Sequence, residues 1–142
     1  MNDVVLPDVP TRAQIVKLED ALRELEPVHI EPVHHYANGL YAREITIPAG
    51  TVLTGKVHKT EHLNIISAGR ITVWTEQGMR TISAPFTMVS QPGTKRVGYA
   101  HEDTVWTTIH ATTERDLEKL EAELIEPEYL IAEDAKLCLG SQ

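Results

Sequence analysis

Apolar residues recur along this chain at two different spacings, and the change of spacing divides it into three parts. Near the start, Ile15, Leu18, Leu22 and Leu25 fall three or four positions apart, with Lys17, Glu19, Asp20, Arg23 and Glu24 mostly opposite. That is the period of a helix with one packed stripe. Thr11 followed by Gln14 has the form of a capping box and Pro27 closes the run, so the spacing predicts a helix over residues 11–26. From residue 40 the period drops to two. Short alternating runs over 40–47, 51–57, 62–67, 70–75, 79–83, 86–90, 95–100 and 104–111 are separated by Ala49-Gly50, Ala68-Gly69, Glu76-Gln77-Gly78 and Gln91-Pro92-Gly93. About eight short strands with a turn signal after each predict a sandwich or a closed barrel. The helical period then returns. Leu117, Leu120 and Leu124 form one stripe, Thr113 and Asp116 suggest a start, and the run stops before Pro127, which predicts a helix over 113–125.

Two segments lie outside that pattern. Residues 28–39 carry His29, His34 and His35; Pro32 restricts any strand there to a sheet edge, and His29 and His34 are expected mainly at the surface. Residues 126–142 hold Tyr129, Leu130, Ile131, Leu137 and Leu139, which are costly to leave in water. They are expected to pack on the same chain or on a second subunit, and a homodimer is expected. The reading is one mainly β domain over 1–142, with its β-barrel at 28–112 between two helices.

Alternation also selects what faces inward. Lys56 and His58 share a face, as do His62 and Asn64, and Arg96 lies with Gly98 and Ala100. Trp106, Thr108 and His110 share a face of the last run. An interior holding Lys56, His58, His62, Asn64, Arg96, Trp106 and His110 is too polar to be purely structural, because buried polar groups need partners. His58 and His62 form a candidate metal-ligand pair, since imidazole is the commonest protein ligand. A third ligand is needed, and His110 ranks ahead of His101 and Glu61. Glu61 neighbours His62 on the opposite face, and His101 adjoins Glu102-Asp103 in a turn. The expected ion is Fe, Mn, Ni or Zn. Arg96 is either a surface charge beside Lys95 or a planar fork for a carboxylate or phosphate. With Lys56 it would favour a small anionic ligand, with Asn64 and Trp106 also lining the pocket. Packing is the default reading of Trp74 and Trp106.

Composition narrows the partners. The net charge of -8 argues against nucleic acid. No run reaches the roughly 18 apolar residues of a membrane helix, and the first residues lack a secretory signal. The lone Cys138 fits a reducing cytoplasm.

The stretch from Gly50 to Gly69 resembles the first motif of the cupin superfamily, G-x5-H-x-H-x3/4-E-x6-G. Gly50, His58 and Gly69 fall in register; Lys56 stands at the first histidine and His62 at the glutamate. Of the second motif, G-x5-P-x-G-x2-H-x3-N, Pro92-Gly93 supplies the turn without the intervening residue, and Arg96 stands at the histidine. The resemblance spans residues 40–111 and implies a jelly-roll barrel that holds a divalent metal or has lost it. GLYAREITIPAG, GKVHKTEH, PGTKR and EDTVWTTIH are similar to phrases of short cupin-like proteins from bacteria and bacteriophages, for which no activity carries over. That likeness adds an alternative to ligand binding: a non-catalytic assembly component, as in a virion or scaffold.

Overall fold

A computed structural model describes residues 6–125. Nine strands and two helices form among the described residues: α1 (Arg12–Leu22), β1 (Val33–Ala37), β2 (Leu40–Ile47), β3 (Val52–Thr54), β4 (His62–Ala68), β5 (Arg70–Thr75), β6 (Gly78–Ser83), β7 (Phe86–Ser90), β8 (Val97–Ala100), β9 (Thr104–Ala111) and α2 (Leu117–Leu124). Every pairing between strands is antiparallel. The strands form two sheets, β1-β2-β9-β4-β7 and β3-β8-β5-β6. The layers face one another as a mainly β jelly roll, and the ladders do not close into a barrel. The expected mainly β jelly roll is found, and of the two forms its strand pattern allowed it takes the open, two-layer one.

The inward faces follow from strand alternation. Ile45, Ile47, Ile66 and Trp106 from the five-stranded sheet meet Ile71, Val73, Ile82 and Ala100 from the other in one buried cluster. Gly69 makes the turn between β4 and β5 at a φ of 92°, and a Cβ there would lie 2.3 Å from the Asp103 carbonyl oxygen. Only glycine permits that approach together with that backbone angle.

The helix α1 covers the outer face of the four-stranded sheet. Ile15 and Leu18 pack on Val97, with Val52 and Trp74 alongside. Its start is the expected capping box: the Thr11 Oγ1 accepts from the Gln14 N–H at 3.2 Å, and the Gln14 Oε1 accepts from the Thr11 N–H at 2.8 Å. The helix is shorter than residues 11–26, because the last turn tightens after Leu22 and ends at Arg23, before Pro27. Its buried face includes a charge. Glu19 pairs with Lys95 at 2.6 Å, and the two side chains are only 4% and 5% exposed. Lys95 also donates to the Gly55 carbonyl at 2.9 Å. Lys95 and Arg96 therefore do not form a surface patch.

One other boundary agrees with the sequence reading and two differ. β1 forms the edge strand that Pro32 allows, starting at Val33. β3 ends at Thr54, so Lys56 and His58 lie on a loop, not on a strand. α2 starts at Leu117 because Asp116 is the N-cap, accepting from the N–H groups of Glu118 and Lys119. Thr113 lies ahead of it. No described helix is long and apolar enough to cross a membrane. The apolar segment 126–142, on which the homodimer expectation rested, lies outside the described residues.

The buried pair yields a stability test. Glu19→Ala should lower the unfolding free energy by about 3–5 kcal/mol in urea denaturation, by stranding the Lys95 charge. Replacing both partners with hydrocarbon, Glu19→Leu with Lys95→Met, should recover most of that loss.

Candidate metal and ligand site

Three histidines meet at one end of the interlayer space. His62 opens β4 and His110 lies near the end of β9. Those strands pair with Leu63 opposite Ile109, which sets His62 beside His110. His58 reaches in from the loop after β3. That loop is held by backbone: His58 bridges Ile125, its carbonyl accepts from the Gly93 N–H at 3.0 Å, and the Lys59 N–H donates to the Leu124 carbonyl at 2.6 Å. The ring centroids are 4.3 Å apart for His58 and His62, 4.9 Å for His58 and His110, and 4.8 Å for His62 and His110. One ring nitrogen from each can be chosen so that all lie within 4.8 Å of one another.

The rings are prepared in the ligand form. Burial, aided by the His62 and His110 rings and the Arg96 and Arg43 charges, pushes His58 from its ordinary 6.5 down to about 2. Burial and His62 push His110 down to about 4. His62 is also lowered, chiefly by burial and also by Arg96, against a hydrogen bond to Thr60 that acts the other way. Neutral imidazole is the species that coordinates a metal. His62 Nδ1 lies 2.9 Å from the Thr60 carbonyl oxygen, which can only accept. The proton is therefore on Nδ1, and Nε2 keeps its lone pair. His110 Nδ1 is buried and has no hydrogen-bond partner. Three neutral rings, one with its tautomer set by backbone and one with an orphaned nitrogen, fit a divalent ion of the kind that imidazole favours.

The alternative third ligands are elsewhere. His101 Nε2 bonds Thr72 Oγ1 at 2.6 Å, on the outer face of β5. Glu61 is exposed and accepts from Gln91 at 3.0 Å. His29 is exposed beside Glu31, as expected. His34 differs: its Nδ1 is 2.7 Å from the Tyr41 hydroxyl, and both residues line the cavity.

A cavity of about 350 Å³ opens from the histidines into the space between the sheets. Lys56, Asn64, Arg96 and Trp106 all line it. Asn64 is the junction. Its Oδ1 accepts from the Trp106 Nε1 at 2.9 Å, and its Nδ2 donates to Ser90 Oγ at 2.8 Å. Ser90 Oγ also accepts from Arg96 Nη2 at 2.6 Å. The Arg96 guanidinium lies 5.4 Å from the Trp106 ring centroid. Burial lowers Arg96 to about 10, which leaves it charged at neutral pH. Its Nε is buried without an acceptor.

Lys56 has a different role from the free cation expected of it. Its ammonium pairs with Glu121 on α2. Lys59 donates to the Ala122 carbonyl at 2.7 Å, so the same loop holds the helix twice. Leu117, Leu120, Glu121 and Leu124 make α2 one wall of the cavity. The second cation facing the cavity is Arg43, which the sequence reading passed over. The signal was present. Tyr41, Arg43, Ile45 and Ile47 alternate along β2, which places an arginine on an otherwise apolar face.

No family model and no curated protein matches the chain. Solved structures do. KdgF from Halomonas sp. is 17% identical with a TM-score of 0.52, over 68% of this chain and 93% of that one. A cupin-2 domain protein from Shewanella frigidimarina is 14% identical with a TM-score of 0.50, over 67% and 92%. The DMSP lyase DddQ from Ruegeria pomeroyi is 14% identical with a TM-score of 0.52, over 61% of this chain and 49% of that one. At such identities the likeness speaks to the fold alone.

The lowered histidines set a pH dependence for metal-free protein. Their folded forms resist protonation, while the unfolded chain takes up protons near pH 6.5. Stability is therefore complete above that value and is lost as pH falls below it. Each group contributes a slope of up to about 1.4 kcal/mol per pH unit. Urea denaturation at pH 7.5 and pH 5 should differ by about 2 kcal/mol or more. Equal stability at the two pH values would mean that the rings are hydrated.

Proposed function

We propose that this chain, which has the cupin fold, binds a divalent metal ion through His58, His62 and His110 and with it holds a small anionic molecule. The observation that carries this reading is a cluster of three neutral imidazoles, with one nitrogen from each within 4.8 Å of the others, in which the buried His110 Nδ1 has no hydrogen-bond partner. An all-histidine set suits Zn, Fe or Ni, which are among the ions that fit. When bound, the ion supplies a Lewis acid that polarises a carboxylate or carbonyl oxygen.

The chain's own residues supply the rest. His62 is oriented by the Thr60 carbonyl. Arg96 is held by Ser90 and by the Trp106 face and keeps its charge at neutral pH. Among the described residues the cavity wall carries Arg43, Lys56 and Arg96 but one carboxylate, Glu121. In a chain of net charge -8, this local reversal of sign favours an anion. The three ligands add no negative charge, so a bound cation would deepen the reversal.

Protein purified without a histidine tag should carry, or take up on zinc titration, about one equivalent of metal. His110→Ala should weaken zinc by more than about a hundredfold. Less than about a tenth of an equivalent of any transition metal after zinc reconstitution sinks the reading. Arg96→Ala should leave zinc bound and weaken acetate about tenfold or more, as measured by calorimetry on zinc-loaded protein.

A further inference from the structure

The cavity that continues from the histidines has two unlike ends. At the histidine end, polar capacity remains unspent. Among the described residues three buried side-chain atoms lack a partner, Thr54 Oγ1, Arg96 Nε and His110 Nδ1, and the latter two belong to residues that line this cavity. Away from that end the walls are Ile45, Ile47, Leu53, Ile71, Val73 and the Trp106 ring. The polar groups nearest those walls are already committed to one another. The Trp106 N–H is given to Asn64, and the Asn64 amide is given to Ser90. Asn64 Oδ1 also receives the Thr108 hydroxyl at 3.4 Å. The hydrocarbon end therefore has little left with which to replace the water around a hydroxylated ligand. Desolvating such a group without a new partner is costly. On β8, Gly98 presents no side chain to this space; a Cβ there would approach Ile71 Cδ1 to 3.1 Å.

We infer that the ligand of this cavity is a small amphipathic carboxylic acid, with its carboxylate at the histidine and Arg96 end and a plain hydrocarbon body against the apolar walls. A sugar acid or another polyhydroxylated anion is the wrong class. The inference rests on the metal-and-anion reading above and adds the body of the ligand to it. A volume of about 350 Å³ lies at the low end for ligand cavities, which limits the acid to a short chain or a single ring.

The test is a series of straight-chain acids titrated by calorimetry into zinc-loaded, full-length protein: acetate, propanoate, butanoate, pentanoate and hexanoate. Each added methylene buried against the walls should tighten binding about fourfold, until the cavity is full. Gluconate has the carbon count of hexanoate but hydroxylated carbons, and it should bind no tighter than acetate. Leu53→Phe, which adds volume to the apolar wall from a partly buried position, should weaken hexanoate about tenfold or more while leaving acetate within about twofold. Zinc and acetate binding with a flat acid series, or with gluconate tighter than hexanoate, overturns this inference and leaves the metal site standing. Failure of both zinc and acetate to bind overturns the metal-and-anion reading, and this inference with it.

Discussion

The site depends on one buried amide. Asn64 faces inward from the middle of β4, where an unpaired amide would be expensive, and its bonds are spent on neighbours that the cavity needs in place. Through Oδ1 it holds the Trp106 indole on β9, and through Nδ2 it holds Ser90 at the end of β7. Ser90 in turn holds the Arg96 guanidinium, which enters from the opposite layer just ahead of β8. The chain of bonds is a strut across an open sandwich. Among the described residues it fixes the arginine without a carboxylate, so none of them cancels the guanidinium charge. It also separates the space into a polar end and a hydrocarbon end, because the groups at the boundary are turned toward each other.

Much of this was legible in the sequence, for a physical reason. Strand alternation is a local rule, and it placed His62 with Asn64, Trp106 with His110, and Arg96 with Gly98 on inward faces, where they are found. The capping box at Thr11 is local as well. What alternation could not reach was the loop between β3 and β4. Lys56 and His58 belong to no strand, so their orientation is set by contacts with α2 and with Gly93, far away along the chain. His58 reaches the other rings anyway. Lys56 turns to Glu121, whose partner could not be known from spacing alone.

The charges show the same division between local and distant information. Glu19 reads as the polar side of an amphipathic helix, and Lys95 beside Arg96 reads as a basic patch. Both readings fail because these two residues, far apart in sequence, find one another between α1 and the outer face of the four-stranded sheet, and neither charge is then left in water. Closure was left open by the sequence for a similar reason. Eight or more alternating strands are compatible with a barrel or a sandwich, and the difference lies in which edges pair. Here the edges β1 and β7 of one sheet do not pair with β3 and β6 of the other.

Set against the cupin pattern, the departures compensate one another. Lys56 replaces the first histidine and Arg96 the last, so two of the usual ligand positions become cations. His62 stands at the glutamate position, and His110 on β9 brings the triad to three. The exchange removes the one negative ligand and adds positive charge around the same point. A divalent ion in such a set would keep its whole charge, with Arg96 and Arg43 lining the same cavity and, among the described residues, no anionic side chain but Glu121, already paired with Lys56. Like charges held close in a poorly hydrated space repel strongly. The cheapest remedy is a negative group brought in from outside the chain. On the proposed reading, the same substitutions that blur the motif would favour an anion in the cavity, and the hydrocarbon behind it would decide which one.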